Sequence, residues 1–108
     1  MKKLFLNFFG TSLLFLIFLS LTHVNADELF NKGKEVFLEA GNCAACHMLS
    51  DAGSNAMVGP NLNEIRPDIQ RIIIAVRNGI GVMPAMEGIL TDEEIEAVAH
   101  YTSTAAEQ

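Results

Sequence analysis

Apolar residues recur every three or four positions in three separate stretches, which is the spacing of one buried face of an α-helix. The first stretch predicts an amphipathic helix from about Glu28 to Ala40, ended by Gly41. Its apolar stripe consists of Leu29, Phe30, Gly33, Val36, Phe37 and Ala40.

The other two stretches carry signals for where a helix starts and stops. Pro67-Asp68 predicts a start, with proline in the first turn, where its missing N–H removes no hydrogen bond. Asn78-Gly79 predicts the end of that helix, whose buried stripe consists of Ile69, Ile72, Ile73 and Val76. The last helix is predicted to begin at Thr91, because Thr91 and Glu94 have the spacing of a capping box. Its apolar face consists of Ile95, Val98 and Tyr101.

The segments between these helices have the composition of loops. Residues 49–61 are rich in Ser, Asp, Asn and Gly, and residues 79–88 are rich in Gly and Met. A short helical turn is expected at residues 43–47, and no strand is predicted. The pattern therefore indicates a small all-α domain of about four short helices.

The amino-terminal segment has a different character. Lys2 and Lys3 precede an apolar run from Leu4 to Leu21, and Val24-Asn25-Ala26 offers small residues just before Asp27. This is the pattern of a secretory signal peptide. A retained anchor is the alternative, but the apolar core is short for a membrane span of about 20 residues. We expect a signal peptide at 1–26, a mature domain at 27–108 and no stable membrane insertion after cleavage.

The predicted mature domain is small and acidic. Removal of residues 1–26 from the 108-residue chain leaves 82 residues. The hydrophobic core of so short a chain gives only marginal stability without a disulfide, a metal ion or a bound cofactor. Loss of Lys2 and Lys3 leaves five basic against 13 acidic residues, a net charge of −8. Such a surface excludes nucleic-acid binding and suits a partner with a basic docking face.

Both cysteines of the chain lie in the run Cys43-Ala44-Ala45-Cys46-His47. Cys-x-x-Cys-His is the signature of covalent haem attachment. Two thiols three positions apart can each form a thioether with one vinyl group of haem, and the adjacent His47 can then bind the iron. We therefore predict one covalently bound haem c, which would also supply the apolar centre that so small a domain lacks.

Two other interpretations of the cysteines fit less well. A redox-active cysteine pair normally belongs to a βαβ pattern, whereas this chain has helical periodicity. A zinc site needs about four ligands, and Cys43, Cys46, His47 and His100 could be counted. Nothing in the position of His100 favours it as a ligand, and a zinc site leaves the adjacent His47 unexplained. His100 is expected to be a surface or packing residue.

A haem that transfers electrons usually has two axial ligands, and a sulfur ligand raises its potential. The candidate methionines are Met48, Met57, Met83 and Met86. Met48 is next to His47 and cannot reach across the ring, and Met57 should lie on the same side as His47. Met83 and Met86 lie in the loop before the last helix, far enough along the chain to reach the opposite face. Pro84 stiffens the backbone after Met83, but the spacing alone does not separate Met83 from Met86.

Taken in order, these segments resemble the class I c-type cytochromes, which are small monohaem electron carriers. The resemblance covers about residues 27–103 and implies the cytochrome c fold, with its helices wrapped around one haem. It rests on Gly33-Lys34-Glu35-Val36-Phe37, Cys43-Ala44-Ala45-Cys46-His47, Gly59-Pro60-Asn61-Leu62, Asn78-Gly79 through Met83-Pro84-Ala85, and Leu90-Thr91-Asp92-Glu93-Glu94-Ile95 to Tyr101.

The resemblance implies roles for the residues around the iron. Cys43 and Cys46 would form the thioether links, His47 would be the proximal ligand and Met83 the distal ligand. Met86 is the rival for the distal position. These assignments give one haem iron with a histidine on one face and a methionine on the other.

The resemblance also implies two supporting contacts. The carbonyl of Pro60 would accept a hydrogen bond from the His47 ring, which fixes the tautomer and the orientation of the imidazole. Gly33 and Phe37 would pack against Tyr101 where the first and last helices cross.

The chain departs from the family in having no tryptophan, which several members place near a haem propionate, and in having few lysines. It is therefore closer to the short bacterial and photosynthetic members than to the carriers that dock through a ring of lysines. Arg66, Arg71 and Arg77 are candidate propionate partners, although ordinary solvated arginines would look the same.

The leading functional hypothesis is a periplasmic electron carrier without enzymatic activity, or a carrier in the thylakoid lumen if the source is photosynthetic. The alternative is a tightly bound cytochrome subunit of a periplasmic molybdenum or flavin dehydrogenase. An enzyme or sensor with an open iron site is disfavoured by Met83 and Pro84. The chain is expected to be a monomer or a subunit of a redox complex, and its partners are expected to be redox proteins.

Overall fold

The computed structural model describes residues 25–108. Most of the predicted signal peptide, residues 1–24, lies outside the described residues. Four helices dominate the described part and confirm the predicted all-α class: α1 (Ala26–Leu38), α2 (Leu62–Ile65), α3 (Ile69–Asn78) and α4 (Asp92–Ala105). Single 3₁₀ turns occupy Cys43–Ala45 and Ser50–Ala52.

Helix α1 is displaced from its predicted position by two residues at each end. It begins at Ala26 because the Asn25 side chain caps it, accepting a hydrogen bond of 3.2 Å from the Asp27 N–H. It ends at Leu38, after which Glu39 leaves helical geometry and the Gly41 N–H donates to the Val36 carbonyl at 2.7 Å. The predicted end at Ala40 is therefore wrong, because the last apolar residue of the stripe already belongs to the turn.

The start of α3 also differs from the prediction. Asp68 is the cap residue, and its side chain accepts a hydrogen bond of 2.9 Å from the Arg71 N–H. Pro67 therefore precedes the cap and does not lie in the first turn. The predicted end is confirmed, since α3 finishes at Asn78 and Gly79 follows with φ of 70°.

Helix α4 begins with the predicted capping box. The Thr91 hydroxyl accepts from the Glu94 N–H at 3.2 Å, and the Glu94 carboxylate accepts from the Thr91 N–H at 2.9 Å. The acidic side chains of the first turn, which include Asp92 and Glu93, also lie at the positive end of the helix dipole.

A small antiparallel ladder interrupts the segment that was predicted to be a loop. Strands β1 (Met48–Leu49) and β2 (Ser54–Asn55) pair Met48 with Asn55 and Leu49 with Ser54. The buried Ser54 hydroxyl accepts a hydrogen bond of 3.0 Å from the Leu49 N–H. The prediction of no strands is therefore wrong for this segment. Each strand has two residues, which are too few to show an alternating pattern of apolar and polar positions.

The core is centred on the crossing of α1 and α4. Gly33 lies at the crossing, where a Cβ atom would overlap the Ala97 carbonyl and the Tyr101 Cβ atom. Tyr101 is fully buried, and its ring packs edge-on against Phe30 at 4.9 Å and Phe37 at 5.7 Å between centroids. The absence of a side chain at Gly33 thus lets the two helices approach closely, as the resemblance implied.

Asp51 ties the crossing to the segment that follows the cysteines. Its carboxylate accepts a hydrogen bond of 2.7 Å from the Tyr101 hydroxyl and pairs with the Lys34 ammonium at 3.0 Å. These contacts lower the pKa of Asp51, the Tyr101 hydrogen bond most, while burial raises the pKa of Tyr101. Within residues 25–108, no helix is long and apolar enough to cross a lipid bilayer.

Candidate haem site

The two cysteines and His47 are presented by one tight turn. Asn42 enters the turn in the left-handed conformation, with φ of 49°. The Cys43 carbonyl accepts from the N–H of Cys46 at 3.1 Å and from the N–H of His47 at 2.9 Å. Gly41 borders the first thiol, since a Cβ atom there would lie 3.0 Å from the Cys43 sulfur. The turn therefore brings all three predicted haem contacts together within one short segment.

The two thiols have different surroundings. Cys43 is half-buried against the core, and burial raises the pKa of its thiol to about 11, whereas Cys46 is exposed. Both cysteines are free of a disulfide. Among residues 25–108, no three Cys, His, Asp or Glu side chains converge as a metal site, so the zinc interpretation has no support there. His100 is half-buried on α4.

The orientation of His47 is set by the backbone of residues 59 and 60. The His47 Nδ1 atom lies 2.8 Å from the Pro60 carbonyl oxygen. A carbonyl can only accept, so Nδ1 must donate, and this tautomer leaves the Nε2 lone pair for a metal ion. Gly59 packs against the same ring, since a Cβ atom there would lie 2.6 Å from His47 Cε1. The His47 ring is thus held in place by Gly59 and Pro60 through its Nδ1 side.

Further hydrogen bonds fix the segment that carries Pro60. The Gly59 N–H donates to the Cys46 carbonyl at 2.8 Å. The Asn61 side chain caps α2 by accepting from the Asn63 N–H at 3.0 Å, and Asn61 also donates to the Met48 sulfur at 3.1 Å. The Met48 sulfur is therefore already engaged on the His47 side, which agrees with its exclusion as the distal ligand.

Met83 and Met86 both lie in the segment that joins α3 to α4, which we call the methionine loop (residues 79–90). Both side chains are partly buried against the core. Met83 exchanges two backbone hydrogen bonds with Ile80, of 2.9 and 3.1 Å, and the Met86 N–H donates to the Val76 carbonyl at 2.8 Å. The loop therefore has a defined backbone path, although its composition is that of an irregular segment.

Gly79 allows the methionine loop to return to the end of α3. Its φ of 70° is unfavourable for other residues, and a Cβ atom there would lie 2.6 Å from the Met83 carbonyl oxygen and 2.8 Å from the Ala85 nitrogen. Only glycine fits this position, so the step from Asn78 to Gly79 both ends α3 and sets the position of Met83.

The three arginines proposed as propionate partners have different surroundings. Arg77 pairs with Glu87 and with Asp92, each at 2.8 Å, so its guanidinium is occupied by two carboxylates. Arg66 donates to the Asn63 carbonyl at 3.3 Å, and Arg71 is exposed. A propionate role stays a prediction for all three arginines. The ion pairs of Arg77 have no local sequence signal, because Glu87 and Asp92 are 10 and 15 positions away.

The comparisons with known proteins agree with the geometry. A family model described as "Cytochrome C oxidase, cbb3-type, subunit III" matches residues 28–101. A cytochrome c6 from Synechocystis sp. PCC 6803 is 35% identical, with 94% of this chain and 89% of that protein covered. A cytochrome c6 from Thermosynechococcus vestitus is also 35% identical, covering 94% and 90%. The chain belongs to the class I c-type cytochromes.

A solved structure extends the similarity to three dimensions. The cytochrome superimposes on the crystal structure of the c-type cytochrome SorU from Sinorhizobium meliloti with a TM-score of 0.71. The two are 56% identical, and the match covers 74% of this chain and 93% of the other. The predicted cytochrome c fold, the covalently bound haem c and the electron-transfer function are therefore confirmed.

The residues of the site also fit the cofactor. Two thiols and an imidazole whose Nδ1 atom is hydrogen-bonded to Pro60 are the groups that a c-type haem requires on its proximal side. Two partly buried thioether sulfurs are available in the methionine loop.

Proposed function

We propose that the cytochrome is an exported, freely diffusing one-electron carrier whose axial ligands are His47 and Met83. Haem c supplies the ferric–ferrous couple when it is bound. The observation that carries the proposal is the hydrogen bond from His47 Nδ1 to the Pro60 carbonyl, because it leaves Nε2 as the ring nitrogen that could bind the iron.

The protein groups would do the work of positioning. Cys43 and Cys46 would each add their S–H across a vinyl group, so that a C–S bond forms and the hydrogen moves to the neighbouring carbon. Pro60 and Gly59 hold the His47 ring, and Gly79 sets the path of the loop that carries Met83. With His47 and Met83 both bound to the iron, no coordination position would remain for a substrate, which supports a carrier and not an enzyme.

The assignment of Met83 is tested by matched substitutions at the two rival positions. The wild-type holoprotein should give a low-spin, six-coordinate spectrum in both oxidation states. Met83→Ala should open the iron to carbon monoxide in the reduced protein, whereas Met86→Ala should leave it closed. The opposite result would assign Met86, and a five-coordinate wild-type spectrum would refute the two-ligand carrier.

Docking would use the exposed apolar side chains of the methionine loop and the acidic surface beside them. Ile80, Val82 and Ile89 are exposed by 66%, 92% and 67%, and Glu87 and Asp92 lie in or next to the same loop. Brief redox encounters use small interfaces with complementary charge. Electron transfer with a basic partner protein should therefore slow as the salt concentration rises.

Export of the protein and its proposed lack of a permanent partner protein can each be tested directly. Amino-terminal sequencing of protein from a periplasmic extract should find Asp27 as the first residue, whereas an intact amino terminus would indicate a retained anchor. Size exclusion of the same extract should place the haem absorbance at the mass of a monomer. Haem that elutes only with a much larger dehydrogenase would favour the bound subunit instead.

A further inference from the structure

Arg77 joins three separate parts of the chain. It lies in the last turn of α3, and one nitrogen of its guanidinium is 2.8 Å from a Glu87 carboxylate oxygen and 2.8 Å from an Asp92 carboxylate oxygen. Glu87 belongs to the returning half of the methionine loop, and Asp92 is the first residue of α4. A single side chain therefore spans the two helices and the loop that lies between them.

The ion pairs occur where the backbone of the loop closes. The Met86 N–H donates to the Val76 carbonyl at 2.8 Å, and the Glu87 N–H lies 3.4 Å from the Arg77 carbonyl. Met83 lies between this closure and Gly79. Opening of the closure would therefore release the returning half of the loop together with the segment that holds Met83.

The charges around Arg77 make it difficult to replace. Glu87 and Asp92 both approach the same nitrogen, and Glu93 and Glu94 follow at the start of α4. Without Arg77, the carboxylates of Glu87 and Asp92 would lie near each other with no cation between them. The protein already carries an excess of acidic residues. Both pairs use the same guanidinium nitrogen, so a lysine ammonium could keep part of this interaction, whereas a neutral side chain could not.

We propose that Arg77 is a positioning residue that closes the methionine loop and so keeps Met83 on the haem iron. The proposal rests on the function proposed above, in which Met83 is the distal ligand. Because Glu87 and Asp92 are exposed by 61% and 73%, salt should weaken the closure. The closure therefore governs how often the sulfur leaves the iron, and not whether the protein folds.

Binding of imidazole to the ferric holoprotein measures this opening, because imidazole can enter only when the sulfur has left. Arg77→Gln should raise the rate of imidazole binding about three- to tenfold at low salt, since two ion pairs are lost together. The increase should shrink at high salt, and Arg77→Lys should recover part of the wild-type rate. Lys32→Gln, on the exposed side of α1, removes a surface cation with no proposed contact to the haem or the loop and should leave the rate unchanged.

Ser54→Ala distinguishes positioning from a general loss of stability. It removes a buried hydrogen bond on the His47 side without touching the loop. If this variant raises the imidazole rate as much as Arg77→Gln does, or if Arg77→Gln binds imidazole at the wild-type rate, the positioning role is wrong. If Met83→Ala binds imidazole no faster than the wild type, the ligand assignment has failed instead.

Discussion

The two sides of the haem site are held by different means. On the His47 side, the imidazole contacts the backbone of Gly59 and Pro60, and this segment is bonded back to the cysteine turn. The neighbouring crossing of α1 and α4 is fully buried. The methionine loop, in contrast, packs Leu90 and, in part, its two methionines against the core, and its closure otherwise consists of a few backbone hydrogen bonds and of ion pairs at the surface.

This difference separates global stability from local opening. Disruption of the helix crossing should change the free energy of unfolding of the whole domain, because it removes packing in the only large buried cluster of the described residues. Disruption of the methionine loop should mainly change how often one ligand leaves the iron. Substitutions in the two regions should therefore differ in how much they change the unfolding free energy of the domain.

The largest effect is expected at Gly33. In Gly33→Val the side chain would overlap the Ala97 carbonyl and Tyr101, so the helices must move apart. Overpacking of this kind costs about 3 kcal/mol or more of unfolding free energy, measured by urea titration of the holoprotein. Gly53→Ala is the control: nothing lies within 4 Å of its Cβ position, but φ is 67°, so a loss of only about 1–2 kcal/mol is expected from backbone strain. Equal losses in the two variants would argue against a tightly packed crossing.

A smaller effect is expected from Tyr101→Phe, which keeps the ring and removes the hydrogen bond to Asp51. Loss of a hydrogen bond to a charged group costs about 1–3 kcal/mol, measured by urea titration at neutral pH. Asp51→Asn should cost a similar amount, and the double variant should cost less than the sum of the two because they remove one shared interaction.

The same pair predicts a pH dependence. The pKa of Asp51 is lower in the folded protein than the ordinary aspartate value of about 3.9. The Asp51 carboxylate therefore stabilises the fold fully above that ordinary value, and this stabilisation is lost as the pH falls through the lower folded pKa. The stability of Tyr101→Phe should therefore fall less steeply than that of the wild type below about pH 5. Parallel acid titrations of the two proteins would contradict the role of this hydrogen bond.

Thr91 lies at the boundary between the two regions, where the methionine loop meets α4. Thr91→Ala removes one half of the capping box and should lower the unfolding free energy by about 1 kcal/mol. Thr91→Ser keeps the hydroxyl and should retain most of that stability. Thermal denaturation of both variants would show whether the start of α4 belongs to the stable part of the domain.

The smallest effect is expected from Lys32→Gln. Lys32 pairs with Glu35 at 3.6 Å on the exposed side of α1, and such pairs contribute less than about 0.5 kcal/mol. Lys34→Gln is the matched comparison, because Lys34 also contacts the Asp51 carboxylate and carbonyl. Urea titration of both variants measures the loss of unfolding free energy. A larger loss in Lys32→Gln than in Lys34→Gln would show that exposed ion pairs stabilise this protein more than its partly buried ones.

Local signals made much of the fold predictable. The capping box at Thr91 and Glu94 and the end of α3 at Asn78 and Gly79 depend on residues close in sequence, and both appear in the structure. The haem-attachment signature was also evident, because Cys43 through His47 are contiguous in the sequence; their individual roles at the haem stay a prediction. Short elements were missed: β1, β2 and α2 are each too brief to produce a periodic pattern.

Long-range polar contacts could not be predicted in the same way. Asp51 and Tyr101 are 50 positions apart. Their hydrogen bond forms only because the fold brings the 3₁₀ turn Ser50–Ala52 next to α4. The pairing of Arg77 with Asp92 depends on how α3 and α4 are placed relative to each other. Charged residues such as these give no periodic signal, since each is also compatible with a solvated surface.

The start of α1 has a consequence for the order of events during export. Asn25, which caps the helix, and Ala26, its first residue, both precede the predicted cleavage point, so a processed chain would lose its cap. A protease needs an extended backbone, whereas in the folded domain the bond after Ala26 lies in the first helical turn. Cleavage and formation of that turn therefore compete for the same residues. Gly33, well inside α1, is the first buried residue of the described part of the chain, so removal of residues 1–26 would leave the helix crossing intact. Processing would then have to precede formation of the first helical turn.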